Sequence, residues 1–243
     1  MEKKLGALPI TVLTAVCAMV GFLLRSAERS GGSATGLIVC SIVVTLALLA
    51  LSLTFWKERD YARIFARSLP DAAASGLGTA LMLIGGVLCA IENGGILRIL
   101  GVLGAVSALL LLRAAALRWS QEKPSAWWHA PIIVFCFLKL FYDYRRWMLD
   151  PVILDYCFAL FAMICFMFAY YHAAAFCFDR GKRRALLFFS MVGVYYGAVA
   201  LRGADTMDAL FYAGCILNLV ACVWQASAVK EASEQSGSAP EQA

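Results

Sequence analysis

Charge in this chain is bunched, and the stretches between the bunches are about as long as a bilayer is thick. Lysine, arginine, aspartate and glutamate gather in short clusters, with apolar runs between them of roughly 20 residues, the length that spans hydrocarbon as a helix. Composition agrees with the pattern. The 243 residues are 62% hydrophobic and 15% charged, whereas a soluble domain carries about a quarter of its residues as charges. The expectation is an all-α, polytopic transmembrane helical bundle.

The apolar runs predict eight helices, at about 5–24, 36–56, 72–91, 96–112, 127–142, 153–176, 185–201 and 209–229. The run 185–201 is the shortest, and losing it would move the C-terminus to the other side. Basic residues orient such helices, because cytoplasmic loops are enriched in Lys and Arg. With the N-terminus inside, the inner segments hold Lys3, Lys4, Lys57, Arg59, Arg63, Arg67, Arg113, Arg118, Lys123, Arg180, Lys182, Arg183, Arg184 and Lys230. The outer segments hold Arg25, Arg29, Arg98, Arg145, Arg146 and Arg202, and Lys139 stays within a run. That bias alternates through every loop and predicts both termini in the cytoplasm. The first run reads as an uncleaved helix, since it exceeds a signal-peptide core and no small-x-small cleavage site follows. Residues 1–229 form one transmembrane domain, followed by a polar, disordered tail at 230–243.

Loop chemistry sharpens this outline. Glu92-Asn93-Gly94-Gly95 reads as a tight turn that makes a hairpin of the third and fourth helices. Gly76, Thr79 and Gly86 are expected along one face of that hairpin, with Gly101, Gly104 and Ala108 along the other. Small residues let backbones approach closely in lipid. Tyr61, Ile64, Phe65 and Leu69, interleaved with Arg59, Arg63 and Arg67, have the spacing of a short amphipathic helix on the inner membrane surface. Arg180, Lys182, Arg183 and Arg184 form a basic cluster suited to anionic lipid.

The formal net charge of +5 does not point to nucleic acid, because the basic residues flank apolar runs. The nine cysteines include no C-x-x-C pair, which argues against zinc ribbons and thiol oxidoreductases. Neither a Walker loop, G-x-G-x-x-G, G-x-S-x-G nor H-E-x-x-H occurs. No metal and no cofactor is expected, and no nucleophile–base pair marks an enzyme acting on lipid.

Three groups of polar residues remain as candidates for ligand binding. Lys139 and Asp143 stand four apart on one helix face, with Arg145 and Arg146 following. Lys139 is about one turn from the outer boundary, where its stem can snorkel. Asp150 and Pro151 suit the start of the next helix, and Asp155 adds negative charge near that start. The last helix carries Asp208, Cys215, Asn218, Cys222 and Gln225 near one face, with Asn218 at mid-bilayer as an interhelical hydrogen bonder. His172 lies near the inner end of its helix, and Asp179 falls seven residues on. His129 sits with Trp127 and Trp128 at the inner interface.

Aromatics crowd the second half of the chain, beginning with the segment that also carries these charges. Tyr144-Arg-Arg-Trp-Met-Leu-Asp-Pro-Val-Ile-Leu-Asp-Tyr156, running on through Tyr170-Tyr-His-Ala-Ala-Ala-Phe176 to Arg180-Gly-Lys-Arg-Arg184, resembles small multi-spanning bacterial membrane proteins with no assigned function. The resemblance covers residues 139–184. It implies a bacterial cytoplasmic membrane protein and supplies no activity. The expected function is a non-enzymatic sensory or scaffolding component with membrane-protein partners, the alternative being a small-solute permease.

Overall fold

Helices occupy nearly all of the described chain, because a run of apolar residues in lipid must satisfy its backbone internally. The computed structural model describes residues 7–147 and 153–228, with side chains throughout except at 153–155. Lys3, Lys4, Lys230, the Asp150–Pro151 helix start, the side chain of Asp155 and the tail at 230–243 lie outside the described residues.

The helices are α1 (Ala7–Arg29), α2 (Ala34–Leu53), α3 (Tyr61–Ile64), α4 (Leu69–Glu92) and α5 (Gly95–Trp119), then a 3-10 turn (Ala126–His129), α6 (Ala130–Trp147), α7 (Ile153–Cys177), α8 (Arg183–Leu201) and α9 (Thr206–Ala228). Seven of them, all but α3 and α6, are long and apolar enough to cross a membrane. The short run at 185–201 is among the seven. Its modest apolarity has a structural cause: α8 is enclosed by other helices and buries Ser190 and Tyr195 rather than showing lipid an apolar face. The shortfall falls instead on α6, which packs Lys139, Asp143, Arg145 and Arg146 into 18 residues. Even so, α6 runs the length of the bundle. It starts beside Arg118 near the end of α5, and its Lys139 reaches Asp208 in the first turn of α9.

Helix ends follow local chemistry. Ser33, Asp60 and Ser68 cap α2, α3 and α4 by accepting the backbone N–H of Thr35, Ala62 and Asp71. These bonds satisfy donors that the first turn leaves free. At the other ends, α5 and α7 close with left-handed residues, Gln121 (φ 61°) and Asp179 (φ 55°). Glu122 N then donates to Leu117 O at 2.9 Å, and Arg180 N to Ala175 O at 3.1 Å. Both are Schellman closures without the customary glycine.

The tightest seams place α4 against α5 and α9. A Cβ on Gly86 would stand 2.6 Å from Ala105 N, and one on Gly101 would run into the backbone of Ala90. A Cβ on Gly78 would meet Gly214 O at 2.7 Å. The hairpin therefore closes through Gly86 and Gly101 as its sequence indicates, but not through every residue expected there. Gly76 faces open space, and Gly104 packs on the Phe135 ring of α6 instead of α4. Gly78 and Gly85 face α9, a seam that the sequence reading omits. On the far side, Tyr195 and Tyr196 of α8 hold α2 through hydroxyl contacts with Ser41 at 2.9 Å and Thr45 at 3.0 Å.

The amphipathic segment is also corrected. The α3 helix is a single turn, and Tyr61, Ile64 and Phe65 are buried in the protein rather than lying on a membrane surface. Phe65 meets Phe176 of α7 edge-on at 5.9 Å. Burial drives the Tyr61 phenol well above its ordinary pKa. Leu69 already belongs to α4 and is exposed.

Candidate ligand site

The α4–α5 hairpin, the last turns of α6 and the first turns of α9 meet at one end of the bundle. Here Lys139 is buried, and its ammonium donates to Asp143 Oδ1 at 2.9 Å and to Asp208 Oδ2 at 3.0 Å. The Asp143 bond is the expected four-residue pairing on one helix face. Asp208 comes from α9, and the sequence reading placed it in a separate group. Lys139 therefore does not snorkel. Two carboxylates from two helices hold its charge inside the protein, with 10% of the side chain exposed. Asp205 begins α9 by accepting the backbone N–H of Asp208 at 2.8 Å, which orients the Asp208 turn.

Lys139 and Asp208 stand on the wall of a pocket of about 360 Å³. Asn93, Arg146 and Asp205 add polar groups to its wall, while Leu97, Leu100, Phe135 and Phe211 supply apolar surface. Phe135 and Phe211 touch at 4.4 Å between ring centres, joining α6 to α9 in the apolar part of the lining. Asn93 donates to Cys89 O at 3.2 Å and approaches Met207 Sδ at 3.4 Å. A cavity of this size with a few convergent polar groups matches the usual form of a small-molecule site. A second cavity, of about 400 Å³, shares Arg146, Asp205 and Asp208 with the first. Its other wall carries Arg25, buried and paired with Glu28 at 2.6 Å, and Arg29.

A second buried ionic cluster lies at the opposite end. Arg118 of α5 approaches Asp71 of α4 at 3.7 Å and donates to Ser75 Oγ at 3.3 Å. Ser75 in turn donates to Asp71 Oδ1 at 3.3 Å. Arg118 also lies 5.5 Å from the centre of the Phe65 ring. Counted in sequence as a topology signal, Arg118 is instead paired within the bundle. Beside it Tyr61, His129, Tyr170 and Asn218 line a narrow cavity. His129 thus faces the protein interior, with its Nδ1 fully covered.

The remaining candidates separate. Arg145 is exposed on α6 and Arg146 is exposed at the pocket rim. Asp155 falls within α7, and its side chain lies outside the described residues. Asn218 is buried midway along α9. It donates to Gly214 O of its own helix at 3.0 Å, and its approach to α4 is to Met82 Sδ at 3.6 Å. The expected interhelical hydrogen bond thus reaches a thioether of α4, since the adjacent residue there, Gly78, offers no side chain. His172 stacks on Phe189 at 5.6 Å near the other end of the bundle, and Asp179 pairs with Lys123 at 2.6 Å. Of the basic cluster, Arg183 is buried and donates to Ala226 O at 2.6 Å, and Arg184 donates to Phe55 O at 2.7 Å. Arg180 and Lys182 are exposed. Among the described residues, no group of three or more His, Cys, Asp or Glu is placed to hold a metal ion.

Asp205, Asn93 and the Asp71–Arg118 pair are the residues that sequence reasoning passed over. Asp205 and Asp208 carried a signal in their capping-box spacing at the start of a helix. The Asp71–Arg118 pair carried none, since 47 positions separate them in sequence. Comparison with protein-family models, with curated proteins and with solved structures finds no match in any of the three.

Proposed function

We propose that this chain is a multi-pass membrane protein that binds a small polar ligand at the Asn93 end of its bundle and acts as a sensory component. The observation carrying this reading is the buried Lys139, shared by Asp143 and Asp208 at the wall of the pocket. A charge within an apolar bundle costs free energy and marks a functional position by default. Arg146, Asn93 and Asp205 give the same pocket donors and acceptors for a ligand of mixed charge. In this reading α6 crosses the membrane with the other seven helices, its inner charges neutralised within the protein and Arg145 and Arg146 at its outer end. Eight crossings put both termini on one side, the loop bias in basic residues favours the cytoplasm as that side, and a bacterial membrane is what the resemblance over residues 139–184 implies.

Thermal unfolding of the purified chain across a panel of metabolites tests this reading. A ligand of the folded state raises the midpoint progressively with the logarithm of its concentration above Kd. The expected hit loses its effect in Asp208→Asn. A panel without any hit, or hits unaffected by Asp208→Asn, rejects the pocket as the site.

One observation favours permeation as the second reading. The Arg118–Asp71 cluster lies at the opposite end of α4 and α5, and Asn218 lies on α9 between the two ends. In that case Phe135 and Phe211 form a closed gate. Asn218→Ala would then slow flux of the same solute into vesicles, whereas a sensor shows no flux.

A further inference from the structure

A broad groove of about 760 Å³ lies between α6, α7 and the 3-10 turn before α6, at the Arg118 end of the bundle. Its floor is made of small residues, Ala130, Ala174 and Ala175. Trp127, Tyr171 and Phe178 stand around it with more than half of each side chain exposed. Arg180 and Lys182 rim it just beyond the end of α7, and His172 forms part of its wall. The outer faces of the same two helices show Phe137, Phe141, Phe161 and Phe168 to their surroundings. A groove on such a surface, in a chain that crosses the membrane, opens onto hydrocarbon rather than onto water.

We propose that this groove seats one anionic phospholipid, with an acyl chain along the alanine floor and the phosphate between Arg180 and Lys182. Charge complementarity selects this occupant. Four basic residues occur between 180 and 184, but the fold turns Arg183 and Arg184 inward onto the carbonyls of Ala226 and Phe55. Arg180 and Lys182 are the two left at the rim. The nearby acid, Asp179, would repel a phosphate, and Lys123 neutralises it at 2.6 Å. Aromatic rings of the kind offered by Trp127, Tyr171 and Phe178 settle at headgroup depth. Anionic headgroups concentrate at basic side chains in the same layer. The floor of small residues adds what a mere charge patch lacks, a bed for an acyl chain.

Native mass spectrometry of the purified full chain, exchanged against equal mixtures of phosphatidylglycerol and phosphatidylcholine, tests the proposal. The wild-type protein is expected to retain one phosphatidylglycerol at least fivefold over phosphatidylcholine. Arg180→Gln with Lys182→Gln should abolish that preference, and both side chains are exposed, so folding is preserved. Ala174→Trp fills the floor and should lower retention of the bound lipid with both charges intact. Arg59→Gln with Arg63→Gln removes the same charge from exposed positions elsewhere and should leave the preference unchanged. An unchanged preference in the 180/182 variant overturns the proposal. So does an equal loss in the 59/63 variant, which would show that net charge and not a seat retains the lipid.

Discussion

Replacing Lys139 with methionine removes one charge and strands two. Asp143 is 3% exposed at its side chain, and its second oxygen, Oδ2, is buried with no hydrogen-bond partner. Without Lys139 its carboxylate keeps only the weaker attraction of Arg146, one turn on and exposed to solvent. Removing one member of a buried pair typically costs 3–5 kcal/mol, because the other is left uncompensated. Asp208 is 28% exposed and can turn toward water, so its share is small, about 1 kcal/mol or less. Lys139→Met should therefore destabilise the protein by about 4 kcal/mol. Asp143→Asn leaves Lys139 bonded to Asp208 and should cost less, about 2 kcal/mol for a lost charged hydrogen bond. The double variant removes both members and should cost about 3 kcal/mol, giving a coupling of about 3 kcal/mol. Reversible unfolding of the full chain in mixed detergent micelles, followed by far-ultraviolet circular dichroism, measures all three. A loss below about 0.5 kcal/mol for Lys139→Met would mean that the ammonium sits in water. Additive single losses would show that the pair is not coupled.

The same assay separates the close helix seams from open positions. Gly101→Leu drives a side chain into the backbone of Ala90 and should cost at least 2 kcal/mol, at the upper part of the usual overpacking range of about 1–3 kcal/mol. Gly76→Ala meets nothing within 4 Å and should be neutral or stabilising by up to about 1 kcal/mol; equal losses at the two positions would refute the assigned seam. At the opposite end, Arg118→Met leaves Asp71 buried and should cost about 3 kcal/mol. Lys123→Ala breaks a pair whose members are 40% and 64% exposed and should cost under about 1 kcal/mol. Similar losses for Arg118→Met and Lys123→Ala would place Arg118 at the surface.

What the sequence disclosed follows the range of the forces involved. Apolar runs and charge clusters are local patterns, and they located every long helix to within several residues. The two-residue turn after Glu92 was equally legible, since α4 ends there and α5 begins at Gly95. Lys139 and Asp143 share a helix face, so their pairing also lay in the local pattern. Contacts between distant segments were hidden. Asp208 stands 69 residues from Lys139 and looked like one more polar residue on its own helix. The burial of Tyr61 and Phe65 depended on α7 arriving above them, while their spacing alone fitted a membrane surface equally well. Arg118, Arg183 and Arg184 were counted as loop charges because a sequence shows that an arginine is near a helix end but not which carbonyl or carboxylate it meets.

The contacts between α6 and α9 give the ligand-site reading its mechanical content. Close backbone approaches tie α4 to both α5 and α9 through Gly86, Gly101, Gly78 and Gly214, so these three helices move together if they move. Joining α6 to α9 takes long side chains: the Lys139–Asp208 bond at one level and the Phe135–Phe211 contact at another. Both lie on the wall of the same pocket. A ligand cation that takes Asp208 from Lys139, or a ligand carboxylate that takes Lys139 from Asp208, replaces the ionic tie and leaves the aromatic one to carry the contact. The differential interaction needed to shift one arrangement against another is thus available at the pocket itself. On the proposed reading, binding there would loosen α6 from the α4–α5–α9 unit on its α9 side, with a signal across the membrane or a path past Phe135 as the two consequences to be told apart.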